Sequence, residues 1–306
     1  MEKVRALAKQ VSNWGRWGAD DERGTVNFIT PEVVRRAAAT VKRGQVFSLG
    51  LSFGVDGPQI GQGGRVNPLH LMSAVGIGYG ADPEGFRYND DVVVMPLQCA
   101  TQWDSLAHVY YGGRLYNGFP ASTTTSAGAS RNGIDKQGAG IVSRGVLLDV
   151  ARVNGVDRLA PGRAITPADL EAAERAQGTR VASGDVLLVR TGHITVFTKD
   201  NNREGYMRQM PGLGMASVEW LHAREVAAVA TDTSAVEVIP FEDQTTPLPV
   251  HLLCIRDMGL TLGEMFNLEE LAADCARDGV WEFLFTAPPL KVTGGVGSPL
   301  NPLAVK

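Results

Sequence analysis

The sequence predicts one α/β domain, built around a central mixed β-sheet that is flanked by helices. Apolar residues make up 44% and charged residues 20% of the 306 residues, which is the composition of an ordinary globular protein. Apolar runs typical of buried strands alternate with helical patterns, without a repeat period. No low-complexity linker divides the chain, so we expect a single domain over residues 1–306, with residues 1–30 as an N-terminal arm.

The first predicted elements are a helix, a strand and a long irregular stretch. The segment "TPEVVRRAAATVKRG" (Thr30–Gly44) has a threonine at the N-cap, a proline at the first helical position and a glycine at its end. Residues 45–53 ("QVFSLGLSF") predict a strand. Residues 54–91 are rich in Gly, Pro and Asp and have no clear period, so they predict a surface excursion, which at this length is usually functional.

The remaining elements follow from apolar runs and helix caps. The predicted strands are residues 90–104, 138–153, 183–192, 226–238 and 280–290, and the predicted helices are residues 166–178 and 214–226. In the first of these helices Thr166 is the N-cap, Pro167 begins the helix and Gly178 ends it. In residues 249–275 we expect a strand, a turn, a second strand and then a short helix.

Charge and cysteine content exclude several classes of protein. The formal net charge of −4 offers no basic field for nucleic acid or an anionic membrane. No run approaches the ~18 apolar residues of a membrane span, and residues 1–30 lack the apolar core of a signal peptide. The cysteines Cys99, Cys254 and Cys275 are odd in number and far apart, which indicates reduced thiols. We therefore expect a cytoplasmic protein.

The segment "QCATQWDSLAHV" (residues 98–109) holds the most unusual polar residues of the chain. Gln98, Gln102, Asp104 and His108 are evenly spaced, so they can share one face of either a strand or a helix. One interpretation is a site that all four line. The other is that Asp104 caps the turn after the strand and His108 is a core histidine with its hydrogen bonds satisfied.

Two further residues extend the candidate set. His251 stands directly before the apolar run "LLCIRDMGL", and Glu264 follows "GLTLG". Together with Asp104 and His108 they form an oxygen and nitrogen donor set that could hold a divalent metal or act in acid/base catalysis. Each of the two could instead be a structural residue at the end of a strand. Sequence alone does not place the four residues together.

The aromatic candidates are less specific. Trp14 and Trp17 lie beside glycines in "NWGRWG", and they could belong either to the core or to an aromatic pocket. His70 lies inside the long excursion and is a candidate for a pocket residue. The glycine string in "SAVGIGYGADP" does not sit between a strand and a helix, so it predicts no dinucleotide site. No phosphate loop or nucleophile elbow occurs.

Taken in order, the motifs resemble the cyclase-like metal-dependent hydrolase family, which includes bacterial kynurenine formamidases and isatin hydrolases. The resemblance covers nearly the whole chain, from "WGADDERGTVNFIT" through "LQCATQWDSLAH", "SGDVLLVRTGH" and "TDTSAVE" to "PVHLLCIRDMGLTLGEMFNLEEL". It implies a swivelling β/β/α fold of the cyclase-like type. It also implies a divalent metal (Mn or Zn), a small aromatic or cyclic substrate, and a homodimer or homotetramer.

The family signature, His-x-Gly-Thr-His-x-Asp-x-Pro-x-His, is only partly present. The positions that match are Thr101, Asp104 and His108, and the positions that differ are Gln98, Ala100, Gln102 and Leu106. Gln98 and Gln102 stand where the family has its two metal-binding histidines. In the family the Asp also binds the metal, the last His acts in acid/base catalysis, and a later His and Glu complete the site.

The resemblance leaves three alternatives for the metal. Gln98, Gln102 and Asp104 could hold an ion with oxygen ligands, for which manganese is better suited than zinc. The ion could instead be held by Asp104 with His251 and Glu264, which match the later family residues by context. In the third alternative no metal is bound, and the two glutamines donate hydrogen bonds to a substrate carbonyl or oxyanion.

The activity implied by the resemblance is hydrolysis of a C–N bond in an aryl formamide or cyclic amide. The implied roles are metal anchoring by Asp104, proton transfer by His108, and completion of the site by His251 and Glu264. The residues implied to line an aromatic pocket are Trp14, Trp17 and Trp103. Two other functions stay open: a metal-free cyclase, dehydratase or isomerase acting on a carbonyl compound, and a non-catalytic small-molecule binding protein on the same scaffold.

Overall fold

A mixed β-sheet of nine strands organises the chain in the computed structural model, which describes residues 1–138 and 140–306. The strands are β1 (Val46–Ser48), β2 (Leu69–Gly78), β3 (Arg87–Val94), β4 (Gln102–Asp104), β5 (Thr124–Thr125), β6 (Gly128–Ala129), β7 (Val142–Asp149), β8 (Ala164–Ile165), β9 (Val186–Arg190), β10 (Gly212–Leu213), β11 (Ala228–Thr231), β12 (Thr261–Glu264), β13 (Glu282–Thr286), β14 (Gly297–Pro299) and β15 (Leu303–Val305). The helices are α1 (Glu2–Val11), α2 (Pro31–Ala39), α3 (Val150–Val153), α4 (Pro167–Gln177), α5 (Ile194–Thr198), α6 (Arg203–Arg208), α7 (Ser217–Ala223), α8 (Pro249–His251, continuing as a π-helix over Leu252–Met258) and α9 (Glu269–Asp278).

The strand order of the large sheet is β1-β15-β13-β7-β9-β11-β12-β4-β14. The central strands β7, β9, β11 and β12 run parallel, whereas each strand added on either side pairs antiparallel. All residues of β9 and β11 are buried, as their continuous apolar runs predict for strands covered on both faces. The prediction of a mixed sheet flanked by helices is confirmed.

Side chains that alternate along the central strands build a core on each face of the sheet. Leu187 and Val189 pack into one apolar cluster with Val229 and Leu262. The alternate residue Leu188 packs into the opposite cluster, which also contains the aromatic side chains Trp103, Phe266, Phe283 and Phe285. The sheet is therefore the rigid platform on which the polar residues of β4 and β12 are held.

Two helices begin where the sequence predicts. The Thr30 side chain accepts a hydrogen bond from Val33 N at the start of α2, and Thr166 forms a capping box with Asp169 at the start of α4. Helix α4 ends at Gly178, which adopts the left-handed conformation that glycine accommodates without strain.

The predicted excursion over residues 54–91 lies on the surface, but its second half is regular structure and not a loop. Strands β2 and β3 pair there as an antiparallel hairpin, and most of their side chains are exposed. Register irregularities between Met72, Ala74 and Ile77 break the alternation, and for this reason the sequence shows no clear period. The strand predicted over residues 90–104 is also two separate strands, β3 and β4.

The segment that begins at Pro249 is helical, not the predicted strand. Its residues are buried nearly all round, from Pro249 through Cys254 to Met258, so apolar periodicity could not separate a buried helix from a buried strand. The later part of that prediction, a strand and a helix, corresponds to β12 and α9.

The first 30 residues pack on the body of the protein, although the sequence predicts an arm. Val4, Ala8 and Val11 of α1 are buried in the cluster that contains Leu187. Ala139, which belongs to the predicted strand 138–153, lies outside the described residues. Within the described part of the chain, no helix is long and apolar enough to cross a membrane.

Candidate active site

The short strand β4 separates a polar face from an aromatic face. It pairs with β12 on one side, where Gln102 lies opposite Glu264, and with β14 on the other, where Asp104 lies opposite Gly297. Because side chains alternate along a strand, Gln102 and Asp104 point to the same side. Trp103 points to the other side, into the core.

His251 is brought to this polar face by helix α8 and fixed there by Glu237. The Glu237 carboxylate accepts a hydrogen bond from the His251 backbone N at 2.9 Å and faces the ring nitrogen Nδ1. The other ring nitrogen, Nε2, lies 3.1 Å from Oε1 of Glu264 and 3.9 Å from Oδ2 of Asp104. All of these side chains are buried, with exposed fractions of 4% or less.

Asp104, His251 and Glu264 form a compact set of ligand atoms. One donor atom from each residue lies within 4.8 Å of the other two. Gln102 Nε2 donates a hydrogen bond of 2.8 Å to Oε2 of Glu264, which orients that carboxylate. The geometry agrees with two carboxylates and one imidazole facing a common point.

Several buried acceptor atoms at this point have no hydrogen-bond donor among the described residues. They are Oδ1 and Oδ2 of Asp104 and Oε1 of Gln102. An unsatisfied buried acceptor costs roughly 1–3 kcal/mol, and more when it is charged. A divalent cation would satisfy these oxygens, and the oxygen-rich set with one imidazole suits such an ion. The residues present therefore fit a metal.

The protonation states reflect the closeness of the carboxylates. Burial lowers the pKa of His251, but the hydrogen bonds and negative charges of Glu237 and Glu264 outweigh burial and raise that pKa to about 10. Burial raises the pKa of Asp104, and the negative charge of Glu264 raises it further. The positive charge of His108, 3.6 Å away, opposes this rise at Asp104, so the carboxylates and the two imidazoles titrate as neighbours.

The Gln98 side chain packs against Gly297, where a residue with a Cβ would collide with it. A Cβ added to Gly297, the strand partner of Asp104, would lie 2.4 Å from Gln98 Nε2. Gln98 is 9% exposed, and its Nε2 has no acceptor in the described part of the chain. This nitrogen is a donor and cannot itself ligate a cation.

A cleft of about 360 Å³ opens onto His251 and Glu264. Its lining residues are Gln59, Gln62, Gly63, Arg65, His108, Met207, Ser234, Ala235, Ile239, Phe241, Pro247, Leu248, His251 and Glu264. His108 is 18% exposed, and its Nε2 lies 3.6 Å from Oδ1 of Asp104. The structure therefore brings together the four candidate residues, which the sequence alone could not place: Asp104, His108, His251 and Glu264.

The aromatic candidates and His70 do not line this cleft. Trp103 is fully buried against Phe266 and Phe285, because it occupies the core face of β4. His70 lies on the exposed hairpin and pairs with Asp91.

The two N-terminal tryptophans also lie elsewhere. The Trp14 ring lies under the Arg256 guanidinium, and its Nε1 donates a hydrogen bond to the Arg256 carbonyl. Trp17 packs edge-on against Phe28. Trp14 lines a separate surface pocket, and His70 contacts Asp91 on the hairpin. The substrate-binding role of these side chains stays a prediction.

Three residues at the site are not predicted from the sequence: Glu237, Gln59 and Arg65. Glu237 carries one usable signal, since it is a carboxylate between valines in a buried run. Gln59 and Arg65 carry none, because they lie in the stretch without a period. Gln59 is buried, and its Nε2 donates a hydrogen bond of 2.7 Å to the carbonyl of Cys99.

Comparison with known proteins identifies the family. The model of the Cyclase family matches residues 22–238. The chain belongs to the Cyclase family. A crystal structure described as a novel cyclase is 42% identical, has a TM-score of 0.90, and is matched over 98% of this chain and 99% of that chain. No curated protein matches this Cyclase-family chain.

Isatin hydrolases share the fold at lower identity. Isatin hydrolase A from Ralstonia solanacearum is 22% identical, with a TM-score of 0.65 over 90% of this chain and 98% of that chain. Isatin hydrolase A from Labrenzia aggregata, solved with benzyl benzoate, is 18% identical, with a TM-score of 0.63 over 88% of this chain and 94% of that chain. The predicted resemblance to the cyclase-like family is confirmed, and the replacement of its histidines by glutamines stays a prediction.

Proposed function

We propose that the protein is a metal-dependent hydrolase that cleaves a C–N bond in an aryl formamide or a cyclic amide. The observation that carries this proposal is the convergence of Asp104, His251 and Glu264, with unsatisfied buried acceptors, beside a cleft that His108 also lines. Membership of the Cyclase family and the fold shared with isatin hydrolases support the same reaction class.

Asp104, His251 and Glu264 would hold the ion. This set is proposed because one donor atom from each residue lies within 4.8 Å of the other two, while Gln102 uses its Nε2 to orient Glu264. Two carboxylates and one imidazole suit either manganese or zinc. When bound, the ion would supply a Lewis acid that polarises the substrate carbonyl.

The protein's own residues then account for orientation and proton transfer. Glu237 accepts the Nδ1 proton of His251, which leaves the Nε2 lone pair directed at the ligand set. His108 lies at the cleft surface and is free to accept a proton from an attacking water and to return it to the leaving nitrogen. The apolar lining by Met207, Phe241 and Leu248 fits an aromatic or cyclic ring.

Metal analysis and hydrolysis assays on matched variants test the proposal. The substrates are formanilide and isatin, and the protein is assayed as purified and after reconstitution with Mn²⁺ or Zn²⁺. Asp104→Asn is expected to lose both metal and activity. His108→Gln is expected to keep its metal and lose roughly 10²- to 10⁴-fold in kcat.

Asp200→Asn and His222→Gln are the control variants, because neither residue lines the cleft. Both are expected to behave as the wild type. Full activity in Asp104→Asn, or equal losses in His108→Gln and His222→Gln, would contradict the proposed roles.

A second candidate is metal-free ring closure, dehydration or isomerisation of a carbonyl compound. It is favoured by one observation: His251 lies between Glu237 and Glu264, which raise its pKa to about 10 and so keep the imidazole protonated and able to donate a proton. Activity that survives exhaustive chelation and is lost in His251→Gln would establish this function instead.

A further inference from the structure

Among the described residues that line the cleft, one is an arginine or lysine. Arg65 lines the cavity together with His108, His251 and Glu264. No carboxylate of the described chain lies within 4.0 Å of its guanidinium, and its side chain makes no hydrogen bond there. The other charged residues that line the cleft, His251 and Glu264, already face each other.

The loop that carries Arg65 is held by specific contacts. The Asn67 side chain accepts a hydrogen bond of 2.8 Å from Gln59 N and donates one of 3.2 Å to the Gln59 carbonyl. Gln59 Nε2 in turn bonds to the Cys99 carbonyl, which ties the loop to the segment before β4. Arg65 is half-buried, and its own backbone N bonds to the Gln62 carbonyl at 3.2 Å. The loop therefore presents the guanidinium from a fixed backbone.

The charge of Arg65 reaches the ligand set. Burial raises the pKa of Asp104, and Arg65 is among the positive groups that oppose this rise. A half-buried guanidinium without a carboxylate partner gains most from an anion supplied by a ligand, since an arginine can form two parallel hydrogen bonds with a carboxylate. The apolar side chains Met207, Ile239 and Phe241 line the same cavity and suit a ring.

We propose that Arg65 binds a carboxylate on the substrate, so that the preferred substrates are anionic aryl or cyclic amides and not neutral ones. The part of this inference that concerns the reaction rests on the proposed hydrolase function. The part that concerns binding does not. Arg65 is then a specificity-determining residue, and the ring of the substrate lies between it and the apolar side of the cleft.

A pair of isosteric substrates tests the inference. The anionic compound is 2-formamidobenzoate, and its neutral counterpart is 2-formamidobenzamide. The wild type is expected to prefer the anionic compound, and Arg65→Gln is expected to lose roughly 10- to 100-fold in kcat/KM for it, mainly through KM. Arg65→Lys is expected to retain part of the preference, and hydrolysis of the neutral compound is expected to be unchanged in both variants.

Arg180→Gln is the control, because Arg180 is exposed and does not line the cleft. It is expected to match the wild type with both substrates. Equal losses for the two substrates in Arg65→Gln, or a wild type without preference for the anion, would overturn the inference.

A binding measurement separates this inference from the proposed function. Calorimetric titration with 2-aminobenzoate and with 2-aminobenzamide requires no turnover. Tighter binding of the anion by the wild type, lost in Arg65→Gln, supports the inference even if neither formamide is hydrolysed, in which case only the proposed reaction fails. Anion binding that is unchanged in Arg65→Gln means that the carboxylate binds elsewhere, for example on a bound metal, and overturns the inference.

Discussion

At the scale of single residues, Glu237 controls the orientation of His251. Its carboxylate bonds to the backbone and faces the ring nitrogen Nδ1 of the same histidine, so one acidic group fixes both the position and the orientation of the ring. The consequence is that Nε2 is turned toward Asp104 and Glu264.

Glu237→Gln should therefore weaken metal binding without removing a ligand. An amide keeps the size of the side chain but does not carry the charge that stabilises the Nδ1 proton, and such outer partners are typically worth roughly 10- to 100-fold in metal affinity. Competition with a chelating dye measures this affinity. Glu219→Gln, at an exposed position of α7, is the control. Unchanged affinity in Glu237→Gln would mean that His251 is not a ligand.

Trp103→Phe is predicted to affect stability and not catalysis. The indole is fully buried, and its Nε1 donates a hydrogen bond of 2.9 Å to the Ala287 carbonyl. Losing this bond and part of the ring should lower the free energy of unfolding by about 1–3 kcal/mol. Urea unfolding and KM are measured together, with Trp17→Phe as the control. A change in KM at unchanged stability would restore Trp103 to the pocket.

The sequence predicts part of the site because that part lies on one short segment. Asp104 and His108 stand out as polar residues at even spacing in an apolar context, and the structure places both near the cleft. Glu237 and Arg65 come from distant segments and have no spacing relation to that motif. Their place at the site follows from the packing of the loop and the helix, which no local pattern encodes.

At the scale of elements, a buried carboxylate links the ends of two parallel strands. Asp232 follows β11, and its oxygens accept hydrogen bonds from Thr191 N and Oγ1 and from Gly192 N, just after β9. Burial raises the pKa of Asp232 from its ordinary value of 3.8 to about 6, although the bonds from Thr191 oppose this rise.

This raised pKa predicts a pH dependence of stability. Between about pH 4 and pH 6 the folded protein binds a proton that the unfolded chain has lost, so the contribution of Asp232 to stability falls as the pH rises through this window, by about 3 kcal/mol in all. Below this window the Asp232 carboxyl is protonated in both the folded and the unfolded protein. Above it the carboxyl is ionised in both, so its contribution to stability no longer changes with pH.

The difference in unfolding free energy between the wild type and Asp232→Asn isolates this contribution. Denaturant unfolding at several pH values should show that the wild type loses stability relative to Asp232→Asn between pH 4 and pH 7. A difference that is constant over this range would contradict the prediction.

Elements with caps or continuous apolar runs are predictable from the sequence, and those without are not. Strands β7, β9 and β11 and helix α4 lie within their predicted segments. The helix at Pro249–Met258 is missed because burial on all sides leaves no apolar face to detect. The β2–β3 hairpin is missed for the opposite reason, since it has no buried face and its alternation is irregular.

At the scale of the whole molecule, the hairpin of β2 and β3 exposes several large apolar side chains. Leu69 pairs with Val94 and Leu71 with Val92, and these four side chains are between 45% and 61% exposed. A two-stranded hairpin is marginally stable by itself, and an exposed apolar patch of this kind commonly marks an interface. We propose that a second copy of the chain covers this face in a homodimer or homotetramer.

The double substitution Leu71→Lys and Val92→Glu should dissociate that assembly. The two new charges lie directly opposite each other and preserve the hairpin, while the apolar contact is lost. Light scattering after gel filtration should show an oligomer for the wild type and a monomer for the variant. Glu84→Lys, near the turn of the hairpin, is the control. A wild type that is already monomeric, or a variant that still assembles, would contradict the proposal.

The π-helix after His251 couples the position of this histidine to the N-terminal segment. Its wide turns place an additional residue between His251 and the far end of the helix, where Asn13 Nδ2 donates a hydrogen bond to the Met258 carbonyl. Deleting one residue here would rotate His251 by about 100° relative to the far end of the helix, so the contacts of His251 with Glu237 and of Met258 with Asn13 could not both be kept. A single-residue deletion would thus disturb the centre although Asp104, His251 and Glu264 are all kept.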